Sequence, residues 1–408
     1  MKYNTYTLQN GLRIIHQPST SPVVYCGYEV NVGARDECPG EEGMAHFCEH
    51  MTFKGTTRRR AWHVRNCLES VGGNLNAYTN KEDTVYYATI QKEHLGRAID
   101  LLTDIVFHST YPQNEIDKEV EVICDEIEIY NDSPADLIYD EFENIIFEGH
   151  PLGHYILGEA QQIRCYTTED ALRFVHRHYR PDNAIFFVSG DVDFKRVIKL
   201  LKSATIDLYL SQSLAADVHP TIPSYQAKEV IKDQGTHQAH VMIGTRGYDV
   251  HHPHRIALYL LNNILGGPGM NARLNVSLRE HHGLVYTVEG VMFSYSDTGV
   301  WGIYFGCDPQ DIGKCKRLVR KELDKMMEKP LTEAQLRAAK KQIKGQIAVT
   351  CDNRENFALD FGKSFLHYGW EKDIIHLYQE IDAVTAEEIQ RVAQDLFVKD
   401  RLTTLTFE

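Results

Sequence analysis

Two histidines four residues apart, with a glutamate just before the second, stand out in GMAHFCEHMTFKGT, residues 43–56. On a helix, positions i and i+4 share a face, so His46 and His50 would present their rings side by side. Zinc takes neutral imidazole nitrogens and carboxylate oxygens at about 2.0–2.2 Å, and a catalytic site keeps one position for water. Glu49 adjoins the second histidine. There a carboxylate can take a proton from an attacking water and return it to the leaving amine. On the fragment alone, a solvated or satisfied histidine pair on an ordinary helix is the commoner reading.

A two-histidine site lacks a ligand, and the acidic segment QNEIDKEVEVICDEIEIY offers one. Glu119 and Glu126 lie two helical turns apart and so on one face. Val122, Ile123 and Ile127 fall near that stripe, which should therefore be partly buried. A carboxylate at the edge of a buried stripe needs a partner, and a metal is one. Glu126 is the candidate third ligand. Glu119 is the candidate for hydrogen-bonding a ligand from behind and setting its basicity.

The elements that must hold these residues can be read from periodicity and turn chemistry. NTYTLQNGLRIIHQP carries an Asn-Gly turn between β-rich runs and reads as a hairpin, with VVYCGYEVNVG as a further strand. The histidine segment reads as a helix stopped near Lys54-Gly55. A short helix near residues 60–70, an extended stretch GGNLNAYTNKEDTVYYATI, and amphipathic helices over 92–107 and 113–131 follow. YTTEDALRFVHRHYRPDNAIFFVSGDVD then gives a capped helix, a turn and a buried strand. That unit recurs at the C-terminus in VTAEEIQRVAQDLFVKDRLTTLTFE. YEVNVGARDE likewise resembles HVMIGTRGYD, and each is followed by a helix that starts at an alanine and ends at a glycine. The chain therefore reads as α+β, with two homologous domains, each a mixed, mainly antiparallel sheet packed with helices. The expected boundaries are 1–205 and 227–408, joined by a Ser-, Ala- and Pro-rich linker over 206–226.

Composition narrows the partners. The 408 residues include 43 Lys and Arg against 57 Asp and Glu, a formal charge of −14, which speaks against a nucleic-acid surface. An acidic whole can still hide a basic cavity. The first residues contain no apolar signal core, and no run approaches the roughly 20 apolar residues of a bilayer span, so neither secretion nor a membrane is expected. Nine scattered cysteines without a CxxC pair read as reduced thiols, consistent with a cytoplasmic protein.

GMAHFCEHMTFKGT, VGGNLNAYTNKEDTVYYA and DKEVEVICDEIEIYNDSP together resemble the inverzincin metallopeptidases, the pitrilysin–insulinase–mitochondrial processing peptidase family. The resemblance extends over nearly the whole chain. It implies one zinc ion per chain on His46, His50 and Glu126, Glu49 as general base, and Glu119 in support. It also implies that GGNLNAYTN is an edge strand to which an extended peptide adds, with Asn76 and Ala77 alongside the scissile region. In the second half, His46, Glu49 and His50 correspond to Leu258, Leu261 and Asn262, while Glu119 and Glu126 map roughly onto Arg337 and Lys344. That half cannot hold the same metal. RLNVSLREHHGLVYTV instead resembles the family motif whose Arg279 and Tyr286 would complete the active site. Because one chain carries both sets, the resemblance implies a homodimer. In it, Arg279 and Tyr286 of one copy serve the zinc of the other inside a closed chamber that admits peptides or unfolded segments.

Other features carry less. GGPG at 266–269 lacks the Lys-Ser/Thr of a phosphate loop and reads as a helix-ending turn. HHPH at 251–254 and His281-His282 read as solvated loops without an obvious carboxylate, Cys48 as a core thiol, and RRR at 58–60 as a cap or surface run. The expected function is a zinc metalloendopeptidase. A non-catalytic binding or assembly subunit of the same fold, or a processing factor dedicated to one peptide, remain the alternatives that sequence leaves open.

Overall fold

The computed structural model describes residues 2–209, 220–369 and 373–408. Much of the expected linker, residues 210–219, lies outside the described residues. The chain forms two compact units, each centred on one sheet.

The first unit contains β1 (Asn4–Thr7), β2 (Arg13–Pro18), β3 (Val23–Val30), β4 (Asn74–Thr79), β5 (Thr84–Gln91) and β6 (Ala184–Gly190), in the order β1-β2-β6-β3-β5-β4. Only β2 and β6 pair in parallel. The second unit contains β7 (Glu229–Lys232), β8 (Ala239–Gly247), β9 (Val285–Ser294), β10 (Gly299–Cys307) and β11 (Thr403–Phe407), in the order β7-β11-β8-β10-β9. Matching β2 through β6 to β7 through β11 reproduces the order, and both β2–β6 and β7–β11 are parallel. The repeat read from sequence is therefore a repeat of sheet topology.

The units are not the contiguous halves 1–205 and 227–408. Residues 129–153 belong with the second and residues 350–373 with the first. The reason lies in how each sheet covers its second face. In the first unit, α1 (Met44–Thr52), α2 (Ala61–Glu69), α3 (Leu95–Phe107) and most of α4 (Gln113–Asn131) contribute to the helical layers, while helix Arg354–Tyr368 packs on β3 and β6. With both faces covered, AIFFVSG of β6 is buried at every position. In the second unit, α5 (Pro134–Ile146) packs on β8, β10 and β11. Each sheet thus borrows one helix from the other half of the sequence. No helix among the described residues is long and apolar enough to cross a membrane.

Candidate metal centre and substrate edge

α1 is capped by Gly43, whose φ of 90° is left-handed, and a Cβ there would lie 2.8 Å from Leu157 O and Gly158 Cα. Its N-terminal N–H groups are satisfied from outside the helix. The buried Glu37 carboxylate accepts from Gly43 N at 2.9 Å and Ala45 N at 2.8 Å, and His154 Nε2 stands 2.7 Å from its Oε2. Met44, Phe47, Cys48 and Met51 are fully buried. Cys48 is the core thiol expected, and burial pushes its pKa up. This apolar face fixes the helix, so the histidines on its other side have a defined direction.

His46 and His50 stand with ring centroids 4.6 Å apart. His50 Nε2 lies 3.3 Å and His46 Nε2 3.9 Å from Glu126 Oε2. One ligand atom from each of these three residues falls within 4.8 Å of the others, and no other such group occurs among the described residues. Around a tetrahedral zinc with ligands at about 2.1 Å, donor atoms stand roughly 3.4 Å apart; the two distances to Glu126 bracket that value, and two imidazoles and a carboxylate are a donor set that would suit the ion and leave a fourth position for water. The second nitrogen of His50, Nδ1, lies 3.0 Å from Glu119 Oε1. Lys54 pairs with the other Glu119 oxygen. His46 Nδ1, by contrast, is buried without a hydrogen-bond partner among the described residues.

The two imidazoles titrate in opposite directions. Burial, with the charge of His50 beside it, holds His46 down to about 4. Burial also opposes charge on His50, but hydrogen bonds to Glu119 and Glu126 outweigh it and lift that ring to about 9. Glu119 itself is lowered: burial would raise it, and the bonds to His50 and Lys54 prevail. Glu49 is buried, and burial raises its pKa against the opposing hydrogen bond from Thr79. Thr79 Oγ1 donates to Glu49 Oε2 at 2.9 Å.

Thr79 ends β4, the outer strand of its sheet. Asn76 is exposed on that strand and Ala77 half-buried. The Asn76 carboxamide donates to Tyr87 OH at 3.2 Å, and its Oδ1 accepts from Ala77 N at 2.9 Å. A side chain thus occupies an edge N–H that an added strand would use. The turn after β4 is anchored in turn: Asp83 pairs with Lys363 at 2.8 Å and His367 at 3.3 Å on helix Arg354–Tyr368.

Arg279 and Tyr286 belong to the second unit. Arg279 lies in a π-helical turn, Asn275–Glu280, and Tyr286 near the start of β9. The guanidinium sits 5.4 Å from the centre of the Tyr286 ring, which is 80% exposed, so the two form one surface feature.

Some sequence expectations need correction. Val122 is exposed, whereas Ile123 and Ile127 are buried, so the stripe beside Glu126 is narrower than periodicity implied. The HHPH loop is not simply solvated: His252 stacks on Tyr248 at 3.9 Å, and His254 Nδ1 reaches Glu388 at 3.0 Å. Three positioning residues were missed. Thr79 could have been found from strand alternation, which puts it on the same face as Ala77. Glu37 lies only six residues before Gly43, but no regular spacing marks it as a partner of the helix N–H groups, and His154 reaches it from a loop distant in sequence.

Residues 13–160 match the family model described as insulinase, peptidase family M16, and residues 166–343 the model described as peptidase M16 inactive domain. A Bacillus subtilis protein described as an uncharacterized zinc protease is 32% identical over 97% of this chain and 96% of its own length. The chain belongs to peptidase family M16. A Streptomyces coelicolor member, also described as an uncharacterized zinc protease, is 32% identical over 96% of this chain and 86% of its own length. Among solved structures, a Helicobacter pylori protease matches this M16 fold with a TM-score of 0.91 at 23% identity, covering 100% of this chain and 99% of that one. A Pseudomonas fluorescens structure described as a peptidase M16 inactive domain matches with 0.90 at 17%, covering 100% and 98%. In this M16 chain, the model described as inactive falls mainly on the half that lacks the histidine pair.

Proposed function

We propose that the chain is a zinc metalloendopeptidase acting on peptides or unfolded segments, with one zinc held by His46, His50 and Glu126. The observation that carries this reading is the convergence of those three donors, with the Glu49 carboxylate one residue from His50. When bound, zinc supplies Lewis acidity toward water and a peptide carbonyl. Glu119 holds His50 Nδ1–H, which directs the electron pair of Nε2 toward the site once that nitrogen loses its proton. Glu49 takes a proton from the attacking water and passes it to the leaving nitrogen. Thr79 occupies Oε2, which leaves Oε1 for that proton. An extended substrate joins the free edge of β4 by displacing the Asn76 carboxamide from Ala77 N.

Arg279 and Tyr286 complete the reading as donors toward the developing oxyanion and the substrate backbone. Their role rests on a cytoplasmic homodimer that encloses a chamber, each copy offering the pair to the other's metal. The name of the model that matches residues 166–343 fits this division, since the ligands lie in the first unit.

Glu49→Gln tests the mechanism. A change of charge without a change of shape should lower kcat by ~10²–10⁴-fold, the range of general-base contributions, with zinc content unchanged. Peptide digests read by mass spectrometry, beside metal analysis, give both values. A metal-loaded variant that cleaves as fast as the parent would remove Glu49 from the mechanism. A parent protein with no chelator-sensitive products would favour a non-catalytic binding subunit instead.

A further inference from the structure

An open cleft of about 700 Å³ lies in the second unit, along helix Glu333–Thr350. Its walls include Arg337, Lys340, Lys341 and Lys344, against two carboxylates, Glu333 and Asp382. The cations recur at i, i+3, i+4 and i+7, so they share one helix face over about 10 Å. In a chain with a net charge of −14 this is a local inversion of sign.

The cations are of two kinds. Asp382 roots one pair: its carboxylate oxygens lie 2.7 and 2.8 Å from Lys344 Nζ, and its backbone oxygen accepts from Lys340 at 2.7 Å. The Tyr378 hydroxyl adds a bond to Lys344 O at 3.0 Å. Arg337 and Lys341 have no ion-pair partner among the described residues. Two cations are thus held in place and two make no ion pair among the described residues, at an opening where four cations face two carboxylates.

Gly345 lines the same opening. It lies inside the helix, where glycine costs about 1 kcal/mol relative to alanine. A Cβ there would meet nothing within 4 Å, so no packing contact within the chain demands it. What the missing side chain does is leave the backbone bare at the cleft wall.

We propose that this cleft binds a small, multiply charged anion whose phosphate or carboxylate oxygens are taken by Arg337, Lys340 and Lys341. A volume of this size belongs to small-molecule sites. A guanidinium fork among ammonium groups suits closely spaced oxyanions. The repeat sharpens the point. Where the first unit places Glu119 and Glu126 beside a candidate cation site, the rough counterparts are Arg337 and Lys344, whose complement is negative.

Isothermal titration of the full-length chain with tripolyphosphate, and separately with citrate, tests this. One anion bound per chain is expected, at least tenfold weaker in the Arg337→Gln/Lys341→Gln double variant and weakened by added salt. Gly345→Leu should weaken binding as much by filling the wall, while circular dichroism stays unchanged. Heat from chelation of bound zinc is common to parent and variants and cancels in the comparison. Tighter tripolyphosphate binding assigns phosphate oxygens, and equal citrate binding assigns carboxylates as well. No binding of either anion, or binding that both variants leave intact, overturns the proposal.

Discussion

The two units share a sheet topology and differ in what the helix packed against the outer strand is for. In the first, α1 lies against β4 and presents His46, Glu49 and His50 beside Glu126. In the second, helix Arg255–Gly266 lies against β9 and carries Leu258, Leu261 and Asn262 instead. Both leucines are fully buried. Asn262 accepts from the Trp301 indole at 3.0 Å and donates to Gly290 O at 3.0 Å. A face that gathers metal donors in one unit closes with leucine and a backbone-holding amide in the other. Strand order survived this change because apolar alternation and pairing fix it, and neither depends on the site.

The comparison is broken most severely by moving the second unit's residue into the first. His50→Asn removes one donor and the Glu119 contact, so zinc should fall from one per chain to none and peptide cleavage to background. Metal analysis of the purified variant decides it. Retained stoichiometric zinc would mean that His46 and Glu126 suffice or that the metal sits elsewhere.

Proton release sharpens the same contrast. His50, held near 9, is protonated at pH 7, while His46, held near 4, is already neutral. Metal must therefore displace about one proton at pH 7, and affinity should rise roughly tenfold per pH unit until about pH 9. Titration calorimetry in buffers of different ionisation enthalpy counts that proton. Zero release at pH 7 would show that His50 is neutral before metal arrives.

The reverse exchange, Asn262→His, should bring no metal to the second unit, because Arg337 and Lys344 stand where carboxylates would be needed. It should instead cost about 1–3 kcal/mol, since Trp301 Nε1 and Gly290 O lose buried partners. A fall of several degrees in the apparent melting temperature checks this, and an unchanged melting curve would argue against a structural role for Asn262.

How much of this was legible in sequence depended on whether the cause was local. The i, i+4 spacing of His46 and His50 announces a shared helix face, and the Thr caps at 167 and 385 mark two helix starts that the structure keeps. The repeat was visible because β3 and β8 solve the same burial problem in similar residues. The exchange of helices between units was not visible. α5 and helix Arg354–Tyr368 are amphipathic wherever they dock, and nothing in their periodicity says which sheet they cover. The Glu37–His154 contact, the Asp83 ion pairs and the cleft along Glu333–Thr350 are products of tertiary placement for the same reason.

Thr79 is the subtlest of the site residues, and its removal should have the smallest effect. Its hydroxyl donates to Glu49 Oε2, which favours the charged carboxylate and opposes the upward push of burial. In Thr79→Val the donor is gone at nearly constant volume, so the Glu49 pKa rises. The acid limb of the kcat/KM profile should then move to higher pH, and kcat at neutral pH should fall about tenfold, or ~1.4 kcal/mol. Thr79→Ser should restore both, because the hydroxyl returns. A structural role in β4 alone would lower activity without moving the acid limb, and Ser would not then rescue it. That separates a residue that tunes the proton carrier from one that only completes the strand. The second unit offers the control, since it has no glutamate at Leu261 for a β9 hydroxyl to serve.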